Sequence, residues 1–282
     1  MTLFVVFITT LAFVYGKAFG DPLFYAGLAL IIAGVTSIGS YYWSDKLVIA
    51  TTGAREIQEQ DNPELFHSVE NLCIGDGLPL PKVYILDDPS PNAFATGRDP
   101  KHAAVCVTSG LLARLNKMEL EGVLAHELSH IKDYDTRLMA IVAILVGFVA
   151  ILADIFMRNL WWGGIRGNNR ENNQTQAIFL LIGIVLAILS PIVANLIQLA
   201  VSRKREYLAD AAGALLTRYP EGLASALEKI ASDTRPVKHA TNATAHLFIT
   251  NPFKNKSASA WFASLFDTHP PIEERIKILR SM

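Results

Sequence analysis

The sequence predicts an α+β fold class: a multi-pass α-helical membrane part joined to a mainly helical domain that carries a small β-sheet. Three observations predict it. Of 282 residues, 51% are apolar and only 18% charged, and the mean hydropathy is +0.30, a balance typical of membrane proteins. The apolar residues gather in four long runs, at residues 3–19, 23–43, 138–157 and 177–201. The segments between them alternate helical periodicity with short β-prone stretches.

Each run holds about 17 to 25 residues, which at ~1.5 Å per residue roughly matches a hydrocarbon core of ~30 Å. The first pair is separated by the turn-like Gly20-Asp21-Pro22 and the second by a polar loop, 158–176. Residues 3–19 lack the basic start and small-residue cleavage site of a signal peptide, so they read as a span. The predicted organisation is two transmembrane helices (1–43), a first domain part (44–136), a transmembrane hairpin (137–201) and a second domain part (202–282). Lys46, Arg55, Lys132, Arg137, Arg203, Lys204 and Arg205 flank the spans on the domain side; only Lys17, Arg158, Arg166 and Arg170 lie near the short connections. That asymmetry predicts a cytoplasmic domain.

Within the domain, residues 62–74 read as a helix begun by Pro63 and ended at Gly75-Asp76-Gly77. Lys82–Leu86 reads as a strand, and 92–96 with 103–107 as a hairpin, after which Thr108-Ser109 caps another helix. Asn116 and Glu119 form a capping box ahead of Leu120, Val123, Leu124, Leu128 and Ile131 at helical spacing. The Ser/Thr/Asn/Lys-rich residues 233–259 read as a mobile surface loop. Cys73 and Cys106 lack metal-ligand spacing and predict no disulfide. A net charge of −1 without a basic stripe argues against a nucleic-acid partner.

The chemistry lies in His126-Glu127-Leu128-Ser129-His130. Residues four apart share a helix face, so both imidazoles reach one Zn²⁺ while Glu127, turned by about 100°, reaches the attacking water as a base. Because the histidines lie near the edge of the apolar stripe, a half-buried site is expected. A catalytic zinc needs a third protein ligand. An antiparallel membrane hairpin sets the segment before the third run beside the segment after the fourth, which brings Glu206 toward the histidines. Asp210, one turn on, is placed to fix the tautomer of a ligating histidine. These features describe a zincin-like metalloprotease domain.

His126-Glu127-x-x-His130, Glu206-x-x-x-Asp210, Asn92-Ala93-Phe94-Ala95-Thr96-Gly97 and Thr268-His269-Pro270-Pro271 with Arg275 together resemble the HtpX-like membrane metalloproteases, relatives of the type I CAAX prenyl proteases. The resemblance covers nearly the whole chain; Asp133 stands where relatives often carry asparagine. It implies one Zn²⁺ per chain and a bacterial inner-membrane location in the lipid bilayer. Unfolded or misfolded proteins are the implied substrates, in quality control and stress response. Asn92, Ala93, Phe94, Ala95, Thr96 and Gly97 would be the strand on which substrate is laid. His269 and Arg275 would face the scissile carbonyl and stabilise the oxyanion. From the residues alone, Thr268–Pro271 reads as a helix start and Arg275 as a surface charge.

Rival readings are a site-specific processing protease, a catalytically idle membrane adaptor and, last, a small transporter. The intact Glu127 argues against the adaptor, and the lack of paired broken helices against the transporter. His67, His102, His239 and His246 lack partners at ligand spacing and read as surface or satisfied histidines. Asp154, Asn195 and Gln198 read as interfacial or helix-bridging groups, Ser190-Pro191 as a kink, and Trp161-Trp162 as an interfacial belt.

Overall fold

Asp21 starts the second helix of the chain by accepting the backbone N–H groups of Leu23 (2.9 Å) and Phe24 (3.3 Å), with Pro22 locked into the first turn. The computed structural model describes residues 1–19, 21–145, 148, 203–238, 240, 244–250, 252 and 270–282. It divides into two units, Met1–Tyr42 with Ile144–Asn195, and Trp43–Ala143 with Leu196–Met282.

In the first unit, α1 (Thr2–Phe19) packs on α2 (Pro22–Tyr42) through Phe4, Ile8 and Ala33. Among the described residues, α2 is the one helix long and apolar enough to cross a membrane; the apolar stretch of α1, Phe4–Lys17, is shorter. Leu23, Phe24, Leu30, Ile31, Val35 and Ile38 of α2 are all exposed, so this is not the buried core helix of a soluble domain. Most of the third predicted run, all of the fourth and the loop 158–176 lie outside the described residues.

The second unit is mostly helical around a four-stranded mixed sheet, counted over the described residues. The strands run β1 (Arg55–Glu56), β2 (Lys82–Leu86), β3 (Ala93–Gly97) and β4 (Ala103–Thr108), in spatial order β1-β2-β4-β3. β3 and β4 form the expected hairpin, Ala95 opposite Val105. β2 is parallel to β4, and β1 was not anticipated. Alternation gives the sheet two apolar faces. Ala93, Ala95, Val105 and Val107 join the main core, while Phe94, Ala104 and Cys106 meet α3 (Ser44–Thr52), Met139 and Phe248 on the other face.

Helices α4 (Pro63–Asp76), α5 (Ser109–Arg114), α6 (Lys117–Lys132), α7 (residues 135–145), α8 (Arg203–Thr217), α9 (Pro220–Ser232) and α10 (Ile272–Leu279) complete the described α-helices, and Pro100–His102 and Ala245–Leu247 form short 3-10 turns. Asn62 and Thr108 cap α4 and α5 through their side chains, and Gly77, at φ 69°, closes α4 in the left-handed conformation. The capping box on α6 is present, and Glu119 also accepts from Ser225 (2.6 Å) and Lys229 (2.7 Å) of α9. A side chain on Gly122 would meet the Leu223 backbone nitrogen at 2.7 Å, so only glycine admits α9 this close to α6.

Part of the expected mobile loop is core. Leu247, Phe248 and Ile249 are buried, with Phe248 edge-on to Phe94 at 5.1 Å between ring centroids. Three apolar residues in a polar stretch find the open face of the sheet, and burying them outweighs the ordering of the segment.

Candidate metal centre

Helix α6 presents His126 and His130 one turn apart, and both are buried, 1% and 5% exposed, rather than half-buried as the sequence suggested. Neighbouring helices enclose both edges of the stripe. Helix α8 lies against α6 because Gly213 has no side chain: a Cβ there would sit 3.0 Å from the His126 nitrogen. Close approach carries Glu206, 1% exposed, to the histidines. His130 Nε2 lies 3.2 Å from His126 Nε2 and 3.4 Å from Glu206 Oε1, and His126 Nε2 lies 3.7 Å from Glu206 Oε2. The three donor atoms fall within 4.8 Å of one another. Two imidazoles and one carboxylate at that separation are a donor set that suits Zn²⁺.

Each histidine turns its other ring nitrogen to a carboxylate. His126 Nδ1 is 3.0 Å from Asp210 Oδ1, and His130 Nδ1 is 3.2 Å from Asp135 Oδ2. Burial disfavours the charged form of Asp210, but hydrogen bonds from His126 and Arg275 outweigh it and hold the carboxyl down at about 2. Burial likewise disfavours protonated His130, yet Asp135 and Glu206 overcome it and raise its pKa to about 10. The same negative potential attracts a cation.

Arg275 is not a surface charge. Its side chain is fully buried, with Nε 2.8 Å from Asp210 Oδ2, Nη2 2.6 Å from Asp210 Oδ1 and Nη1 3.4 Å from Glu206 Oε2. Pro271 precedes the first turn of α10, as a helix start there required, and the helix aims Arg275 inward. His269 lies outside the described residues, as does His239. His67 and His102 are exposed and paired with Glu59 and Glu70, and with Asp99. Cys73 and Cys106 are free and buried, with no disulfide.

A cavity of about 10 Å³, room for one water, opens between His126, Glu127, His130 and Glu206 and is walled by Ala95, Met139, Leu247 and Ile249. Asn92–Gly97 therefore borders the centre. As an edge strand β3 has one unpaired side, but it is wholly buried there, and Ile249 N–H donates to Ala93 O at 3.0 Å. Asn92 Nδ2 donates to Thr250 O at 3.2 Å. Asn92 O accepts from Thr108 N–H on β4, so by alternation the Ala95 amide and carbonyl point to the outer edge.

Asp135 and the 244–250 segment were missed from the sequence. Asp135 is five residues beyond His130 and off its helix, where no i, i+4 rule applies. The run Leu247-Phe248-Ile249 was the one legible sign of the segment.

The sequence profile of Peptidase family M48 matches residues 59–282. A protease HtpX homolog of Tropheryma whipplei (strain Twist) is 51% identical over 259 residues, covering 92% of this chain and 86% of that one. Another, from Caldanaerobacter subterraneus subsp. tengcongensis, is 47% identical over 287 residues, covering 99% and 93%. Among solved structures, S. mikatae Ste24p has a similar fold, with a TM-score of 0.53 at 18% identity. That alignment takes in 98% of this chain, which spans only 62% of Ste24p. A buried two-histidine, one-carboxylate cluster beside an edge strand thus sits in a sequence that belongs, with its HtpX-like relatives, to the proteases of peptidase family M48.

Proposed function

We propose that this protease is a zinc-dependent endopeptidase of the bacterial inner membrane that cuts unfolded or damaged membrane proteins at the cytoplasmic face. The convergence of His126, His130 and Glu206 around a cavity that Glu127 also lines carries this reading. Those three residues would hold the ion, one per chain, and Zn²⁺ there would supply Lewis-acid activation of water and of the scissile carbonyl. Glu127 takes a proton from the attacking water and returns it to the leaving amine. Asp210 holds the Nδ1–H of His126, and Arg275 holds Asp210 and Glu206 in place. The resemblance gives the oxyanion contact to His269 and Arg275; because Arg275 is engaged by Asp210 and Glu206, His269 is the residue proposed for it.

Substrate pairs as an added strand on β3, with Ala95 as the anchor because its outward backbone adjoins the cavity. Main-chain pairing reads no sequence and needs an extended chain, which favours unfolded segments. The apolar, exposed surface of α2 and the basic residues flanking the domain support the multi-pass, cytoplasmic-domain arrangement. One observation favours the rival, a site-specific processing protease: Ile249 already occupies Ala93 O, which narrows the edge.

Casein hydrolysis by the full chain in detergent, stripped with chelator and resupplied with Zn²⁺, tests the proposal beside Glu127→Gln. Zinc-dependent cleavage that falls ~10²- to 10⁴-fold in the variant is expected. Zinc binding without cleavage of casein would favour the narrow processing enzyme.

A further inference from the structure

Asp135 has no assigned role, yet its surroundings are built around it. Helix α6 ends at Lys132, and Tyr134 takes φ 61°, left-handed backbone that costs a non-glycine residue about 1–2 kcal/mol. Such strain persists where the surroundings over-determine it. The turn restarts the helix at residue 135, so the Asp135 carboxylate lies at a helix N-terminus, where negative charge is favoured, and faces back to His130. Arg205 of α8, 70 positions further along, closes the arrangement: its Nε pairs with Asp135 Oδ1, and its Nη2 donates to the Asp133 carbonyl at 3.2 Å.

We infer that Asp135 is a positioning residue of the metal centre: held by Arg205, it takes the Nδ1–H of His130 and so aims Nε2 at the ion. The inference rests on reading His126, His130 and Glu206 as the ligands. A carboxylate on the far nitrogen fixes the tautomer and raises the basicity of the ligating one, and losing such a partner typically weakens metal binding by ~10–100-fold. Asp135 and Arg205 are 70 positions apart in the chain, so metal affinity depends on these two residues staying side by side.

The test titrates the chelator-stripped full chain in detergent with Zn²⁺ against a chromophoric competitor, with thermal unfolding followed in chelator. Asp135→Asn should bind Zn²⁺ ~10–100-fold more weakly. Arg205→Met should lose part of that affinity and Arg205→Lys should recover most of it. The Co²⁺-loaded variants should show an altered visible spectrum, which a merely structural role would not produce. If Asp135→Asn fails to fold, the partly exposed Arg205 pair carries the test alone. Affinities within about twofold of the parent for all three variants would overturn the inference. No zinc binding by the folded parent would instead overturn the ligand assignment, and this inference with it.

Discussion

The two histidines of the centre have buried carboxylate partners of the same chemistry, held by arginines that differ in exposure. His126 leans on Asp210 and Arg275, each no more than 2% exposed in its side chain. His130 leans on Asp135, 8% exposed, and through it on Arg205, 40% exposed. Both arms are histidine, carboxylate, arginine. Burial separates them: a sealed pair has no water to replace a lost partner, whereas solvent softens the loss at the open end. Both arms therefore bear on metal affinity, and the His126 arm bears on stability as well.

The largest test of that contrast removes the sealed cation. Arg275→Met leaves Asp210 and Glu206 buried without their counter-charge and should lower unfolding stability by about 3–5 kcal/mol, read by denaturant titration in detergent with chelator present. A loss under about 1 kcal/mol would mean that the two arms do not differ. Next is the helix contact on which both arms depend. Gly213→Ala places a methyl against the His126 backbone, and should cost about 1–3 kcal/mol and weaken zinc binding, because Glu206 and Arg205 ride on the same helix.

Asp210→Asn and Asp135→Asn should each weaken Zn²⁺ binding by ~10–100-fold. The sharper expectation is a difference in kind: in chelator, Asp210→Asn unfolds earlier because Arg275 loses its carboxylate, while Asp135→Asn changes little. Equal shifts in chelator would break the comparison. The smallest effect belongs to Arg205→Met, below about 1 kcal/mol in stability and, unlike Arg275→Met, diminished by added salt.

How much of this was legible depended on chain distance. The α6 signature, its capping box and the stripe from Leu120 to Ile131 are local periodic features, and they were read residue by residue. Glu206 and Asp210 were reached from the hairpin argument, and they lie beside His126. Burial was misjudged because an amphipathic stripe describes one face of a helix, and the neighbours that cover the other faces come from α8, α9 and the 244–250 segment. From its own stretch of chain Arg275 read as a surface charge for the same reason, since no local pattern marks a cation whose partner is 65 positions away, and only the resemblance pointed to it as a site residue.

The sequence by itself determined the helix that carries both histidines and Glu127, the strands of the β3–β4 hairpin, the family and the apolar character of the N-terminal helices. The helix, the strands and the apolar character follow from spacing of a few residues or from composition, and the family from the resemblance of its motifs. Only the tertiary structure decided that His130 too has a carboxylate partner, in Asp135, that Arg275 is sealed against Asp210, and that Ile249 holds part of the edge of β3. The Arg275 and Ile249 contacts join residues far apart in the chain, whereas the left-handed turn at Tyr134 brings Asp135 back to His130 from five residues on, and helix packing through Gly213 sets Glu206 and Asp210 beside the histidines.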